Sequence, residues 1–305
     1  MSAPRVVIFN DTHGWHSEQL SSALDQLGIE AVLTDLAECR IDLDSPTGLL
    51  IPGLDSQLPA AAIVRGIAPG FLEQITLRMD VLHTLAELGV PVLNPASAIE
   101  HTVDKARTSL RLHLAGLSTP RTWACENANT ARVIIERELA AGHLLVMKPL
   151  FGCQGKGIAL IETLSQFEQQ SPVGDAFYLQ QYIAPEQAGA WQDWRLLVID
   201  GEVCAAMSRR SNHWITNFAQ GASCFATPVS EEMRQLAIRA TAAVQADYAG
   251  VDLIRGPDGQ FTVLEVNSVP AWKGLYQATG ADIAGALAQA VNQRISAALA
   301  SNHAV

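Results

Sequence analysis

The chain has 305 residues, 49% of them hydrophobic and 17% charged, which suits two or three compact domains and argues against disorder. Its net charge of −11 excludes a general nucleic-acid surface, which needs a basic stripe, yet leaves room for a local basic cleft. Five scattered cysteines (Cys39, Cys125, Cys153, Cys204 and Cys224) make a poor disulfide framework and contain no C-x-x-C zinc pair. No stretch approaches the roughly 18 to 20 apolar residues of a membrane span, and a soluble cytoplasmic protein is expected.

The run 6–9, Val-Val-Ile-Phe, suits a buried parallel strand. A loop at 10–14 precedes a helix over 17–27, closed by Gly28. Strands at 31–33 and 61–64, a helix over 72–88 closed by Gly89, and a strand at 90–93 continue the alternation. This pattern predicts a small doubly wound α/β domain over residues 1–98. The loop after the first strand lacks G-x-G-x-x-G, so no nicotinamide site is expected. His13 and His16 stand without a third ligand nearby and read as substrate contacts or surface histidines.

From Asp104 the pattern changes to α+β. A helix fits 104–115, and apolar runs at 144–147, 158–161, 178–183, 196–199 and 203–207 are separated by turn signals. Asp200-Gly201 is a type I′ hairpin signal. A helix over 230–246, strands at 251–254 and 261–266, and a terminal helix over 283–298 complete the chain. The expected division is a central subdomain over 99–182 and a C-terminal one over 183–305.

The segment 148–158 holds glycines at 152, 155 and 157 between strand-like flanks. Such glycines let backbone N–H groups approach a phosphate, and Lys148 and Lys156 add positive charge. It is not a Walker A loop, because no Ser or Thr follows Lys156. An ordinary flexible hairpin is the competing reading. Cys153 sits in this loop without any sign of being a nucleophile.

A hairpin is expected where 250–255 and 260–267 flank Gly256-Pro257-Asp258-Gly259. With Asp258-Gly259 as a two-residue turn, Asp252 falls directly opposite Glu265, and Glu265 and Asn267 share a face. A four-residue loop keeps this register, whereas a three-residue loop breaks it. Directly opposed carboxylates destabilise a sheet unless neutralised, and a divalent cation such as magnesium would do so.

On these motifs the chain resembles the RimK-type branch of the ATP-grasp ligases from about Asp104 to Asn267 and into the helix beyond. The resemblance implies an ATP-grasp fold behind the N-terminal α/β domain, with ATP and Mg2+ (Mn2+ as an alternative) as cofactors. Lys148, in K-P-x-x-G, would contact the α-phosphate, with Lys105 the first nucleotide-contacting lysine. Gly152, Gly155, Lys156 and Gly157 would cover the triphosphate. Gln181, Tyr182 and Ile183 look like the segment that holds adenine by its backbone. Asp193-Trp194-Arg195 resembles the family's D-x-R, with Asp193 on the nucleotide and Arg195 on substrate or phosphate. Arg209 would steady an acyl phosphate. Asn217 ends a segment that aligns with R-S-N, and Asp252, Glu265 and Asn267 would hold magnesium.

Departures from the family pattern are Gln181 for glutamate, Ile215 and Thr216 before Asn217, and Ser208 for lysine. Ligases that add glutamate to a methanopterin-type cofactor resemble this chain closely at 268–274 and 64–67. The implied reaction joins a carboxylate acceptor (a small pterin-like cofactor or a peptide) to an amino acid, L-glutamate, through an acyl phosphate. Arg65, His13 and Arg78 are candidate acceptor contacts, the alternative for each being a surface or salt-bridging residue, which is favoured for Arg78. The alternatives are a dipeptide or D-alanine-type ligase and a non-catalytic nucleotide sensor. The family also suggests a homo-oligomer, and neither nucleic acid nor membrane is an expected partner.

Overall fold

The computed structural model describes residues 3–152, 155–185, 187, 189–217 and 220–302, with the backbone alone at 301–302. Cys153 and Gln154 of the glycine loop lie outside the described residues.

The N-terminal unit alternates β1 (Arg5–Phe9), α1 (Trp15–Asp25), β2 (Glu30–Thr34), the short pair β3 (Arg40–Ile41) and β4 (Leu49–Leu50), β5 (Ala61–Val64), α2 (Leu72–Glu87) and β6 (Val92–Leu93). Its sheet is parallel, in order β2-β1-β5-β6. Val6, Val7, Ile8 and Phe9 are buried on both faces, as a parallel strand between helices requires.

Two helices follow, α3 (Ala96–Val103) and α4 (Lys105–Leu114). Asp104 separates them: it ends α3 and caps α4 by accepting the N–H groups of Ala106 and Arg107. The expected helix over 104–115 is α4, and α3 is an addition. The next sheet is antiparallel, in order β7-β10-β8-β9: β7 (Thr122–Cys125), β8 (Leu145–Lys148), β9 (Ala159–Ile161) and β10 (Phe177–Gln181), with α5 (Ala128–Ala140) and α6 (Leu164–Glu168) behind it. Ile135, Leu145, Phe167 and Leu179 form its core. Leu112 of α4 and the adjoining Leu117 pack instead into the core of the C-terminal sheet, so the span 99–182 is divided between two cores.

That last sheet runs β13-β12-β11-β14-β15, with β11 (Trp191–Ile199), β12 (Glu202–Ser211), β13 (Ser223–Ala226), β14 (Tyr248–Arg255) and β15 (Phe261–Asn267). Asp200 and Gly201, at φ 49° and 77°, make the expected tight turn between β11 and β12. Helix α7 (Glu231–Ala243) covers one face, against Leu196, Val198, Val251 and Val263. The other face is divided. On β11 the odd-numbered residues share it, so Leu197 and Ile199 are buried near α9 (Ile283–Asn302), while Asp193 and Arg195 look onto a cleft. Helix α8 (Lys273–Thr279) precedes α9.

Helix α9 joins the two ends of the chain. Leu287 and Val291 share one apolar core with Ile8, Leu20, Leu24 and Ile63 of the N-terminal unit and with Leu197 and Met207 of the last sheet. Asn94 adds a polar tie: its side chain donates to the carbonyls of Tyr248 and Ser268 and accepts from the N–H groups of Asp247 and Tyr248. No described helix is long and apolar enough to cross a membrane.

Candidate active site

A cleft of ≈ 720 Å³ lies between the two antiparallel sheets and reaches the N-terminal unit. Its lining includes Lys105, Lys148, Gly152, Gly155, Lys156, Gln181, Tyr182, Ile183, Asp193, Arg195, Arg209, Asn217, Asp252, Glu265 and Asn267. Sequence reasoning singled out every one of these, and also Gly157, which does not line the cleft.

The hairpin that carries the carboxylates arrives at its register by an unexpected route. Gly256 N–H donates to Gln260 O and Gly259 N–H to Gly256 O, with Gly259 at φ +76°, so the loop is the three residues 257–259. Alone, this would turn Glu265 to the wrong face. A β-bulge between Asp252 and Leu253 restores it, because Leu253 pairs with Val263 while Asp252 pairs with Glu265. Leu264 is the extra residue, and both Leu264 and Glu265 line the cleft between the buried Val263 and Val266.

Around these acids sits a buried ionic network. Asp252 is held by Arg195 through two bonds of 2.7 Å and by Arg209 at 3.0 Å. Arg209 also forks onto Asp193, at 2.7 and 2.5 Å, and the Thr216 hydroxyl donates to Asp193 at 2.6 Å. Burial works to raise the Asp252 pKa, but Arg195 and Arg209 more than offset it and hold the carboxyl below the usual range. Asp193, assigned by resemblance to the nucleotide, is only 2% exposed and orients Arg209.

A metal at this site would draw on Glu265 and Asn267, sharing Asp252 with the two guanidinium groups. The fit is supported by the donor set: Glu265 and Asn267, two apart on β15, both line the cleft and offer a carboxylate and an amide carbonyl, the hard oxygen ligands that magnesium takes.

Lys148 extends from β8 and donates to Gln180 at 2.6 Å. Burial pulls its pKa down to about 8, against the opposing field of Glu265. Gln180 escaped the sequence reading. Its signal is the pairing of β10 with β8: Lys148 faces Tyr178, which puts Gln180 diagonal to it. Bound phosphate favours the charged lysine, so ADP affinity should fall toward tenfold per pH unit above about 8, where the free protein loses this proton. Titrations of ADP between pH 7 and 10 test this, and Lys148→Met should bind weakly with a flatter profile over that window.

The glycine loop joins β8 to β9 as expected. Lys105 Nζ donates to Gly152 O at 2.8 Å, and Gln220 Nε2 donates to Gly155 O at 3.1 Å, so the loop is tied from both sides of the cleft. Gly155 has φ +70°, and a Cβ there would lie 2.9 Å from Gln220 Nε2 and 3.1 Å from Ile215 Cγ2. The left-handed backbone alone costs an L-residue roughly 1–2 kcal/mol. A loop that relaxes to shed this strain leaves its place over the phosphates, so Gly155→Ala should raise the KM for ATP about tenfold, and thermal melting measures whatever strain the loop retains.

In the segment read as adenine-binding, Gln181 N–H donates to Arg121 O and Tyr182 N–H to Leu144 O. Trp191 Nε1 donates to the Tyr182 hydroxyl, and Trp214 meets the Tyr182 ring edge-on at 6.1 Å. At the far end of the cleft, Arg65 lines the wall, whereas His13 does not; Asp11 and His16 do. Arg78, expected as a surface or salt-bridging residue, is instead buried and donates to the carbonyls of Ala68 and Pro69, a structural role.

Two sheets gripping a cleft, with a glycine hairpin above and an acid-bearing hairpin below, define an ATP-grasp fold. The RimK-like ATP-grasp domain model matches residues 102–291, and the chain belongs to that family. It is 36% identical over 229 residues to the tetrahydromethanopterin:alpha-L-glutamate ligase of Methanocaldococcus jannaschii, covering 72% of this chain and 75% of that protein. It is 32% identical over 286 residues to a probable alpha-L-glutamate ligase of Cellvibrio japonicus, covering 89% of each. The solved structure of the ATP-grasp ligase PsnB, complexed with a phosphomimetic variant of minimal precursor, Mg and ADP, superposes with a TM-score of 0.75 at 22% identity, covering 96% of this chain and 99% of that one. The protein is an amide-bond-forming ligase of a family that uses ATP with Mg2+.

Proposed function

We propose that the protein adds L-glutamate to the carboxylate of a second substrate, a small pterin-like cofactor or a peptide. The observation that carries this is the paired guanidinium groups of Arg195 and Arg209, held by buried carboxylates in the one cleft that also contains Glu265, Asn267 and the glycine loop. The names of the relatives from M. jannaschii and C. japonicus support glutamate as the amino acid.

In this reading the acceptor carboxylate attacks the γ-phosphorus of ATP, the bond to ADP breaks, and an acyl phosphate forms. The glutamate amine then attacks the acyl carbon, phosphate departs, and the nitrogen loses a proton to give the amide. Mg2+, or Mn2+ in its place, supplies charge neutralisation on the phosphates. Lys148 and Lys105 orient the phosphates under Gly152, Gly155, Lys156 and Gly157. Arg195 and Arg209 face the negative charge that builds on the transferring group, and Asp193 holds Arg209 in place. Asn217 closes the loop side. With the N–H groups of Gln181 and Tyr182 already bonded, a backbone N–H for adenine falls to Ile183, and the carbonyls of the segment would accept from its amine. The lobes assigned in this reading, 1–98, 99–182 and 183–305, each contribute residues to the cleft lining, although α4 of the middle span packs into the C-terminal core. A cytoplasmic location accords with Cys39, Cys125, Cys204 and Cys224, which are all free.

Phosphate release should be measured with ATP, Mg2+ and L-glutamate, alone and with pterin and peptide carboxylates, following products by mass. An acceptor that gains one glutamyl unit supports the reading. Amide formation with D-alanine or another amino acid in place of glutamate would move the protein to the dipeptide-ligase alternative. Nucleotide binding without any amide product would favour the sensor.

A further inference from the structure

The parallel N-terminal sheet runs β2-β1-β5-β6, so its strand order reverses between β1 and β5. Ligands of open parallel sheets bind outside the carboxyl ends of the strands at such a point. Here the crevice is flanked by Asp11, two residues past β1, and Arg65, the residue after β5, and both line the far end of the cleft.

Arg65 is firmly built in. It is 8% exposed, donates to the Tyr248 hydroxyl at 3.2 Å and to Pro270 O at 2.8 Å, and stacks 4.2 Å over the Trp272 ring. Its buried Nε has no partner among the described residues. Lys273, the first residue of α8, also lines the cleft and brings a second cation, its ammonium 5.9 Å from the Trp15 ring. His16 joins the walls: its Nε2 accepts the N–H groups of Trp272 at 3.1 Å and Lys273 at 3.2 Å, and its ring meets Trp272 edge-on at 4.7 Å. Burial, with the fields of Arg65 and Lys273, pushes its pKa down to about 4, so it stays a neutral acceptor. Pro270, which accepts from Arg65, also packs on Gly250 beside Arg195, so the crevice adjoins the reacting end of the cleft.

Two cations and one carboxylate, walled by an aromatic ring, complement a small molecule with two carboxylates and one ammonium group. We infer that this crevice is the subsite of the amine-bearing substrate, a dicarboxylic amino acid, with Arg65 and Lys273 taking its carboxylates and Asp11 its ammonium. His16 is a positioning residue that fixes the 272–273 backbone. The inference rests on the amide-ligase reading, and its test separates the two.

L-glutamate, L-glutamine and glutarate are titrated calorimetrically into the protein holding Mg-ADP. L-glutamate should bind at least tenfold more tightly than the other two. Asp11 and Lys273 are exposed, so their variants should fold. Lys273→Met should weaken L-glutamate ten- to a hundredfold and leave Mg-ADP affinity within twofold. Asp11→Asn should erase the preference for L-glutamate over glutarate. His16→Ala should raise the amino-acid KM at least fivefold with kcat preserved, and His16→Gln, which keeps an acceptor, should restore it. L-glutamate binding unchanged in both the Lys273 and Asp11 variants, or none of the three ligands binding to the parent, overturns the subsite. Binding as described without amide formation from any acceptor leaves the subsite standing and removes the ligase reading instead.

Discussion

Glu265→Gln is expected to lower ATP-dependent turnover by roughly 10²–10³-fold while leaving the protein at least as stable as its parent. Glu265 stands directly opposite Asp252 across the bulged hairpin, and like charges so placed oppose the pairing of the strands. Asp252 has two arginines to neutralise it. Glu265 makes no ion pair among the described residues, which leaves its charge for a metal. Replacing it with glutamine keeps the shape, relieves the repulsion and removes a hard oxygen ligand. Turnover, Mg-ADP affinity and thermal melting should be measured together. Lost turnover with unchanged Mg-ADP affinity would deny Glu265 a part in holding the metal.

Arg209→Met should destabilise the fold by about 3–5 kcal/mol. Arg209, Asp193 and Asp252 are 3%, 2% and 3% exposed, so removing the guanidinium strands two carboxylates away from water. Thr216 and Arg195 remain as their partners and cannot replace the shared fork. The Asp252 pKa is depressed in the folded parent, so its contribution is present above the ordinary aspartate range and is lost as pH falls through the depressed value. The gap between parent and variant should therefore narrow in acid. Urea unfolding at pH 7 and at about pH 2.5, below the ordinary aspartate range, measures both quantities. Arg209→Lys should recover only part of the loss, since an ammonium cannot bridge both carboxylates as a planar fork does. A deficit under about 1 kcal/mol at pH 7 would mean the network is solvated.

Much of the nucleotide side of the cleft was legible because it is written locally. Gly152, Gly155 and Gly157 between two apolar runs announce a strand–loop–strand, and Asp200-Gly201 announces a hairpin. The acid hairpin was legible for a subtler reason. The expected two-residue turn and the observed three-residue turn differ by one, and the bulge at Leu264 cancels the difference before the chain reaches Glu265. Alternating patterning could not reveal this, because Val263-Leu264 reads the same with or without a bulge. Helix α3 was missed because Asp104 serves two helices at once. The far wall was least legible: His16 acquires its role from backbone N–H groups 256 and 257 residues away, and nothing around it in sequence signals that. Arg195 and Asp252 were each identified, but not as partners, since their pairing follows from the neighbouring of β11 and β14.

The apolar core shared by α9, the N-terminal sheet and the last sheet bears on how the protein comes apart. Ile8, Leu24, Leu197 and Val291 are mutually buried, so neither end of the chain can shed its structure without exposing the other. The sheet containing β8 and β10 has a separate core around Ile135 and Leu179. Amide hydrogen exchange should accordingly fall into two tiers rather than three. The first and last thirds of the chain would protect their amides to a common limit, and residues 122–181 would open earlier and by themselves. A ligand gripped from both sides should raise the weaker tier most. Removing the final 20 residues should then melt the N-terminal sheet, the part of the chain made first.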